Sequence, residues 1–230
     1  MTPPDPEPAA AAAASTPEGG CGARWRRRAL KAVVFSLGVL VQLFPHPVRA
    51  VREIQALRDP QSQIAPDDPA IALLSALVDR EIPPELDRAS QVAWIEAFVE
   101  RRIPYEHDWI TWGNVDYWPT PSETMEAGRE DCDGIAIVTA SLLRKRGFVV
   151  RLEASYQHVW VEVEGLRILD AGETRWDGET LTAPTWRDVV AWVRYALSAF
   201  PKWRWALLVL WTGCVIAWPV RRRQAAVGPG

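Results

Sequence analysis

Two long apolar stretches, one near each end of the chain, dominate its hydrophobic pattern. The first covers residues 29–44, with one lysine and one glutamine inside it, and the second covers residues 205–220. Each has 16 residues, about 24 Å as a helix, against a bilayer hydrocarbon core of roughly 30 Å. Flanking lysine, arginine and tryptophan side chains can reach the headgroups and make up the difference. The pattern predicts hydrophobic, transmembrane helices over residues 24–48 and 203–220.

Between these stretches the pattern changes to amphipathic helices followed by strands. Apolar spacing predicts helices over about residues 67–80, 88–102 and 185–200. Alternating apolar residues predict strands over residues 148–156, 158–163 and 166–170. We therefore expect one α+β domain over residues 53–200, a disordered tail over 1–23 and a basic tail over 221–230.

A cysteine opens a further predicted helix. Cys132 follows residues 129–131, Arg-Glu-Asp, and precedes a run of apolar residues that ends in three basic residues and Gly147. The unpaired N–H groups of a helix N-terminus stabilise a thiolate and can bind an oxyanion. Single cysteines are more often inert and buried, but the flanking Asp131 and Asp133 argue against an apolar environment. The pattern favours Cys132 as a nucleophile.

His158 and Asp170 follow on the predicted strands, and the loop between these strands decides whether the two side chains meet. A two-residue loop would pair Val163 with Leu166 and leave His158 and Asp170 on opposite faces. A loop one residue longer, with Gly165 in the left-handed conformation, would place His158 across from Asp170. Only the longer loop allows Asp170 to orient the imidazole as the third member of a triad. We expect this longer loop.

Other residues compete for these roles. His107 is an alternative base in the segment 105–108, although no strand partner can be predicted for it. We assign Tyr117, Trp118 and Trp160 as substrate contacts. For Tyr117 and Trp118, a position in the hydrophobic core is an equally good interpretation.

Several ordered motifs resemble the transglutaminase-like superfamily, most closely its bacterial cysteine-peptidase branch. They are residues 118–128, the Asp-Cys-Asp core at 131–133, the helix ending at 147, the segment 158–162 and the Leu-Asp pair at 169–170. The resemblance covers about residues 90–172 and implies a papain-like α+β core, with the nucleophile helix packed on an antiparallel sheet. It implies Cys132 as nucleophile, His158 as base and Asp170 as the partner of His158.

Two departures from the family pattern bear on the substrate class. Glu130 stands where the family often has glycine, and Asp170 is followed by Ala-Gly rather than Pro-Thr.

Metal and nucleic-acid chemistry have weaker support. The three cysteines and three histidines lack zinc-site spacing, so we expect no metal and no cofactor. The one alternative is a hard cation such as calcium, because Glu130, Asp131 and Asp133 offer clustered oxygen ligands. Residues 53–200 hold 26 acidic and 14 basic residues, a net charge of −12, which disfavours nucleic acid as a partner.

These observations predict a membrane-tethered thiol enzyme that acts on an amide bond of a peptide or protein. Proteolysis is the leading reaction and amine crosslinking the next. A catalytically silent peptide-binding module on the same fold is the alternative of a different class. Basic residues flank the outer ends of both apolar stretches, which predicts cytoplasmic termini and a catalytic domain on the non-cytoplasmic side. A cleaved signal ending near residue 50 remains an alternative for the first stretch.

Overall fold

The computed structural model describes residues 19–155, 158–166 and 185–218. Within these ranges the chain forms nine α-helices and one two-stranded antiparallel sheet. The helices are α1 (Gly19–Leu43), α2 (Pro47–Arg58), α3 (Pro69–Glu81), α4 (Arg88–Arg102), α5 (Asp108–Thr111), α6 (Pro121–Ala127), α7 (Cys132–Lys145), α8 (Trp186–Ala199) and α9 (Lys202–Ala217). The strands are β1 (Val150–Ala154) and β2 (Val159–Val163). The fold is therefore mostly helical and α+β only in a loose sense.

Local signals explain several of these helices. Asp68 caps α3 by accepting a hydrogen bond from the Ala70 N–H, and Asp87 caps α4 by accepting one from the Ser90 N–H. These caps satisfy amide groups that have no partner inside the helix. The structure confirms the helices predicted over residues 67–80, 88–102 and 185–200.

Helix α7 lies at the centre of the core. It packs against α3, α4, α6 and both strands, and Ile137, Val138, Leu142 and Leu143 on it are fully buried. Arg144 and Lys145 occupy its last turn, where positive charge suits the helix dipole. Gly147 follows with a φ of 79°, the left-handed conformation that ends a helix. The structure thus confirms the helix predicted after residue 132.

The two strands pair in a simple hairpin. Val150 pairs with Val163 and Ala154 with Val159, and the Val163 end of β2 leads into a turn. Gly165 has a φ of 75° in this turn, which confirms the left-handed conformation expected for it. The bridge that follows, however, joins Val163 to Leu166.

That bridge belongs to the two-residue loop, so the longer loop expected from the sequence is wrong at this point. The reason is the neighbouring strand: the Glu164 N–H donates to the Val149 carbonyl at 2.9 Å. This bond extends the β1–β2 pairing one residue beyond Val163. Only Glu164 and Gly165 then lie between the bridged residues Val163 and Leu166. Asp170, and with it the rest of the predicted third strand, lies outside the described residues.

Some elements were not predicted. Helix α6 starts at a capping box in which Thr120 and Glu123 bond each other's backbone N–H groups. Helix α2 precedes the expected start of the domain, and α1 begins at Gly19, inside the segment predicted to be a disordered tail.

Helices α1 and α9 pack against each other as an antiparallel pair, which we call the terminal hairpin. The Lys31 ammonium donates to the Ile216 carbonyl at 2.8 Å near one end. Arg204 donates to the Gln42 carbonyl at 3.1 Å near the other. No single helix in the described part of the chain is long and apolar enough to cross a membrane. Residues 25–43 and α2 together meet that test, with an 85° bend between them.

Close packing in the middle of the hairpin requires a glycine. A Cβ atom on Gly38 would overlap the indole ring of Trp211. Small residues allow helices in such pairs to approach closely, and Gly38 gives Trp211 the space for its ring.

We therefore predict that Gly38→Ala destabilises the hairpin by about 1–3 kcal/mol through overpacking. Gly213→Ala on α9 is the matched control, because a Cβ there meets no neighbouring atom. Thermal unfolding in detergent micelles should show a lower midpoint for Gly38→Ala only. In a Trp211→Ala background the Gly38→Ala penalty should disappear. An equal effect of the two glycine substitutions would contradict the packing argument.

Candidate functional site

Cys132 is the first residue of α7 and directly follows the capping residue Asp131. The Asp131 side chain accepts a hydrogen bond from the Asp133 N–H at 3.3 Å and caps the helix. The thiol is partly buried, whereas the free cysteine Cys214 on α9 is exposed. Cys132 therefore has the helix-terminal position predicted from the sequence.

The structure brings the start of β2, directly after His158, close to this thiol. Ser155 and His158 close the β1–β2 connection: the Ser155 N–H donates to the His158 carbonyl at 2.8 Å. The backbone N–H of the next residue, Val159, lies close enough to the Cys132 sulfur to act on the pKa of the thiol. The His158 ring stacks on Trp160 with ring centroids 6.0 Å apart. The backbone next to His158 thus lies near Cys132, while the third predicted member, Asp170, is outside the described residues.

The surroundings of Cys132 disfavour its thiolate. Burial, followed by the negative charge of Asp131, raises the pKa of the thiol to about 12, although the Val159 N–H acts in the opposite direction. The sequence suggested a thiolate stabilised by the helix terminus. In the structure the flanking Asp131 and Asp133 are themselves buried, so their charges oppose ionisation of the thiol. Proton removal at Cys132 therefore requires a base.

Four buried carboxylates surround this end of α7, and we call them the acidic cluster. They are Asp108, Glu130, Asp131 and Asp133, each with one oxygen within 4.8 Å of the others. The ion pairs found among the described residues involve other carboxylates. Burial and mutual repulsion raise the pKa of Asp108 and of Asp133 well above the usual range, and that of Glu130 to about 7.

Hydrogen bonds satisfy part of this cluster but not all of it. Glu130 accepts from the Trp112 indole at 2.7 Å and from the Asp131 N–H at 3.1 Å. Oδ1 of Asp108 and Oδ2 of Asp133 are buried and receive no hydrogen bond. Either protons or a hard cation can relieve such repulsion, and carboxylate oxygens are the ligands that calcium prefers. The cluster can therefore hold a cation, where the sequence led us to expect no metal.

Asp108 is the member that the sequence analysis missed. Its segment reaches α7 through backbone pairing: Glu106 N–H donates to the Glu130 carbonyl at 3.0 Å, and Glu130 N–H donates to the Pro104 carbonyl at 3.1 Å. Asp108 begins α5, just after this pairing. This backbone pairing joins residues more than twenty positions apart, so no local sequence pattern predicts it.

The three aromatic residues assigned as substrate contacts are all buried. Tyr117 and Trp118 lie in the protein interior, and Tyr117 contacts the guanidinium groups of Arg49 and Arg52. Their burial favours the alternative core interpretation. Trp160 is buried as well and contacts the candidate site through its stacking on His158.

A different aromatic row is accessible at the site. The rings of Tyr105, His107 and Trp109 follow one another with centroid separations of 5.4 and 5.9 Å. Tyr105 is exposed and forms a parallel backbone bridge with Glu130, two residues before the thiol. His107, the alternative base, is a member of this row.

Comparisons of the chain with protein-family models, with curated proteins and with solved structures found no match. We therefore interpret the site from its own residues and geometry.

One further carboxylate near the site is buried. Glu53 of α2 accepts a hydrogen bond from the Trp118 N–H at 2.9 Å, while its Oε1 has no donor. Burial, followed by the charge of Asp116, raises the pKa of Glu53 from 4.5 to about 9. The folded protein therefore holds a proton on Glu53 that the unfolded chain releases between these pH values.

This difference predicts that stability falls as pH rises from 4.5 towards 9, by at most about 1.4 kcal/mol per pH unit for one proton. Glu53→Gln keeps a neutral side chain at all pH values, so its unfolding midpoint should depend less on pH over this range. Thermal unfolding measured across the range, with exposed Glu85→Gln as control, checks this. Parallel curves for wild type and Glu53→Gln would contradict it.

Proposed function

We propose that the protein is a thiol-dependent enzyme that cleaves or transfers at an amide bond of a peptide or protein. The observation that carries the proposal is the approach of the Val159 backbone N–H to the Cys132 sulfur, close enough to act on the pKa of the thiol. His158 is the residue before Val159, and this supports its role as the base for a cysteine at a helix N-terminus. A nucleophile helix packed on an antiparallel sheet agrees with the papain-like and transglutaminase-like core that the sequence motifs resemble.

The chemistry follows from this arrangement. His158 removes the proton from the Cys132 thiol as the sulfur attacks the amide carbonyl carbon. Backbone N–H groups at the start of α7, including that of Cys132, stabilise the oxyanion that forms. The intermediate collapses to a thioester, and the amine leaves with a proton from His158. Water then hydrolyses the thioester in a peptidase, or an amine takes the acyl group in a crosslinking enzyme.

Because the pKa of Cys132 is raised to about 12, a stable thiolate–imidazolium pair does not form in this arrangement. Attack and proton transfer to His158 must then be coupled. The raised pKa is also the observation that favours the second candidate function, a peptide-binding module without catalysis. In that case the thiol would remain protonated and unreactive near neutral pH.

We predict that Cys132→Ala and His158→Ala abolish turnover of peptide substrates without unfolding the protein. The turn after β2 has the two-residue register, which does not allow Asp170 to orient the imidazole, so Asp170→Asn should lower the rate by far less than the about 10²–10⁴ expected for a residue that holds the tautomer. His107→Ala is the control histidine and should retain activity. Peptide hydrolysis and circular dichroism of the same samples check this. A Cys132→Ala variant with full activity would exclude the mechanism.

Thiol labelling separates the enzyme from the binding module. In the enzyme, iodoacetamide should label Cys132 near neutral pH, and His158→Ala should slow this labelling because the imidazole no longer takes the thiol proton; the raised pKa should keep both rates below that of a model thiol. Absence of labelling in a folded protein would favour the binding module.

We also propose that the acidic cluster binds a hard divalent cation. The supporting observation is the pair of buried oxygens, on Asp108 and Asp133, that receive no hydrogen bond. A cation there would offset the repulsion among four carboxylates and hold the 104–112 segment against α7. At the site the cation would act by stabilising the structure and by neutralising charge.

We predict that calcium raises the thermal unfolding midpoint, by an amount equivalent to about 2.7 kcal/mol when its concentration is one hundred times the dissociation constant. Asp108→Asn and Asp133→Asn should lose this response, whereas exposed Glu126→Gln should keep it. Differential scanning fluorimetry in chelator and in calcium measures both. An equal response in all variants would place the cation elsewhere.

We propose that the terminal hairpin lies in a membrane. Along α1 and α9 many large apolar side chains are exposed, among them Phe35, Leu40, Leu207 and Leu210. Because the pair is antiparallel, the arginines at the start of α1 lie at the same end as the last residues of α9. Three further arginines follow α9 in the sequence. Basic residues remain on the cytoplasmic side, so the catalytic domain would lie on the opposite side.

Single-cysteine labelling tests this orientation. In a chain without its native cysteines, Glu85→Cys should react with a membrane-impermeant maleimide in intact cells, and Gln224→Cys should react only after lysis. Labelling at position 224 but not at 85 would reverse the orientation. Labelling of neither position in intact cells would indicate a cytoplasmic domain.

A further inference from the structure

Helix α2 has its polar and apolar faces reversed relative to a helix of a water-soluble domain. Its inward side carries Glu53, which is only 3% exposed, together with Arg49 and Arg52. Arg49 donates to the Trp112 carbonyl and Arg52 pairs with Glu123 at 2.7 Å. Its outward side carries four large apolar residues, Val48, Val51, Ile54 and Leu57, all more than half exposed. Helices on aqueous surfaces show the opposite arrangement.

The position of α2 identifies what covers this face. Helix α2 begins four residues after α1 ends, and the two axes differ by 85°. If α1 runs along the membrane normal, α2 lies in the plane of the membrane surface. The same end of the hairpin carries Trp203, which is exposed, and tryptophan is enriched at the headgroup level. The inward contacts of Arg49, Arg52 and Glu53 exclude α2 as a second half of the span.

We propose that α2 is an interfacial helix whose apolar face, Val48, Val51, Ile54 and Leu57, rests in the headgroup region of the bilayer. Amphipathic helices of this kind bury their apolar side at the boundary of the headgroups and acyl chains. The inference rests on the proposed insertion of the terminal hairpin. It adds a second attachment that holds the domain flat on the membrane surface.

Short contacts then connect the membrane to the candidate nucleophile. Arg204 at the start of α9 donates to the Gly113 carbonyl at 2.9 Å. The adjacent Trp112 donates to Glu130 at 2.7 Å, and Glu130 is two residues, no more than about 7 Å of chain, from Cys132. No flexible linker lies in this path. The catalytic thiol therefore stays at a fixed, small height above the bilayer, and the substrate is a peptide segment close to the membrane.

Depth measurements on the full chain test the placement of α2. Single spin labels are attached at Val51→Cys, Ile54→Cys, Phe35→Cys and Leu73→Cys after removal of the native cysteines. The protein is reconstituted in vesicles of phosphatidylethanolamine and phosphatidylglycerol. Leu73 on α3 is the control, because it is a large apolar residue that is 72% exposed, more than Val51 at 55% and Ile54 at 54%. Labels at 35, 51 and 54 should collide with oxygen and be protected from a water-soluble nickel complex, and the label at 73 should show the reverse.

The outcomes separate the inference from the proposal beneath it. Nickel access at 51 and 54 with protection at 35 would overturn the interfacial role of α2 and leave the inserted hairpin standing. Nickel access at 35 as well would overturn both. Protection at 51 and 54 with dipolar broadening between labels of different molecules would assign the face to a second copy of the chain, and would also overturn the inference.

A second experiment tests the distance of the Cys132 thiol from the bilayer surface. A substrate peptide is attached to a lipid headgroup through either a short or a long linker, and a free peptide serves as reference. The Val51→Glu/Ile54→Glu variant should cleave the short-linker peptide several-fold more slowly than wild type and the free peptide at an unchanged rate. Leu73→Glu should match wild type on all three. Equal rates of wild type and Val51→Glu/Ile54→Glu on the short-linker peptide would overturn the inference.

Discussion

The interactions of Glu130 are the constraint on which the candidate site depends. Its backbone pairs with Pro104 and Glu106, and its buried side chain accepts the Trp112 indole N–H. These bonds hold the segment that carries Asp108 against the start of α7. The family that the sequence resembles often has glycine at this position. The larger residue is accommodated by Gly134, because a Cβ there would overlap the Glu130 side chain.

The candidate site concentrates negative charge where catalysis by a thiolate would need positive charge. Burial strengthens every interaction among the four carboxylates, and the cost appears in the raised pKa values of the thiol and of its neighbours. The four carboxylates can be buried together only if protons or a bound cation neutralise part of their charge. The acid–base role of His158 and the occupancy of the acidic cluster are therefore linked.

Local pattern predicted α3, α4, α7, α8 and both strands, because their apolar spacing and end residues lie within single segments. It also predicted that Cys132 opens a helix, which the structure confirms. It missed α2 because the apolar face of that helix points outward, away from any core. It missed Asp108, and chose the wrong turn register after β2, because both depend on pairing with distant backbone: Asp108 on the Glu130 segment, and the turn on Val149.

The antiparallel terminal hairpin also sets the order in which parts of the chain can fold. Arg204 and Gln42 are 162 positions apart, whereas α3, α4, α7 and the sheet are neighbours along the chain. Contacts between distant residues carry the largest loop-closure entropy and slow folding. During synthesis, α3, α4, α7 and both strands are translated before α9. Until then the Gln42 and Gly113 carbonyls lack the Arg204 side chain, because α1 is synthesised long before the helix that it packs against.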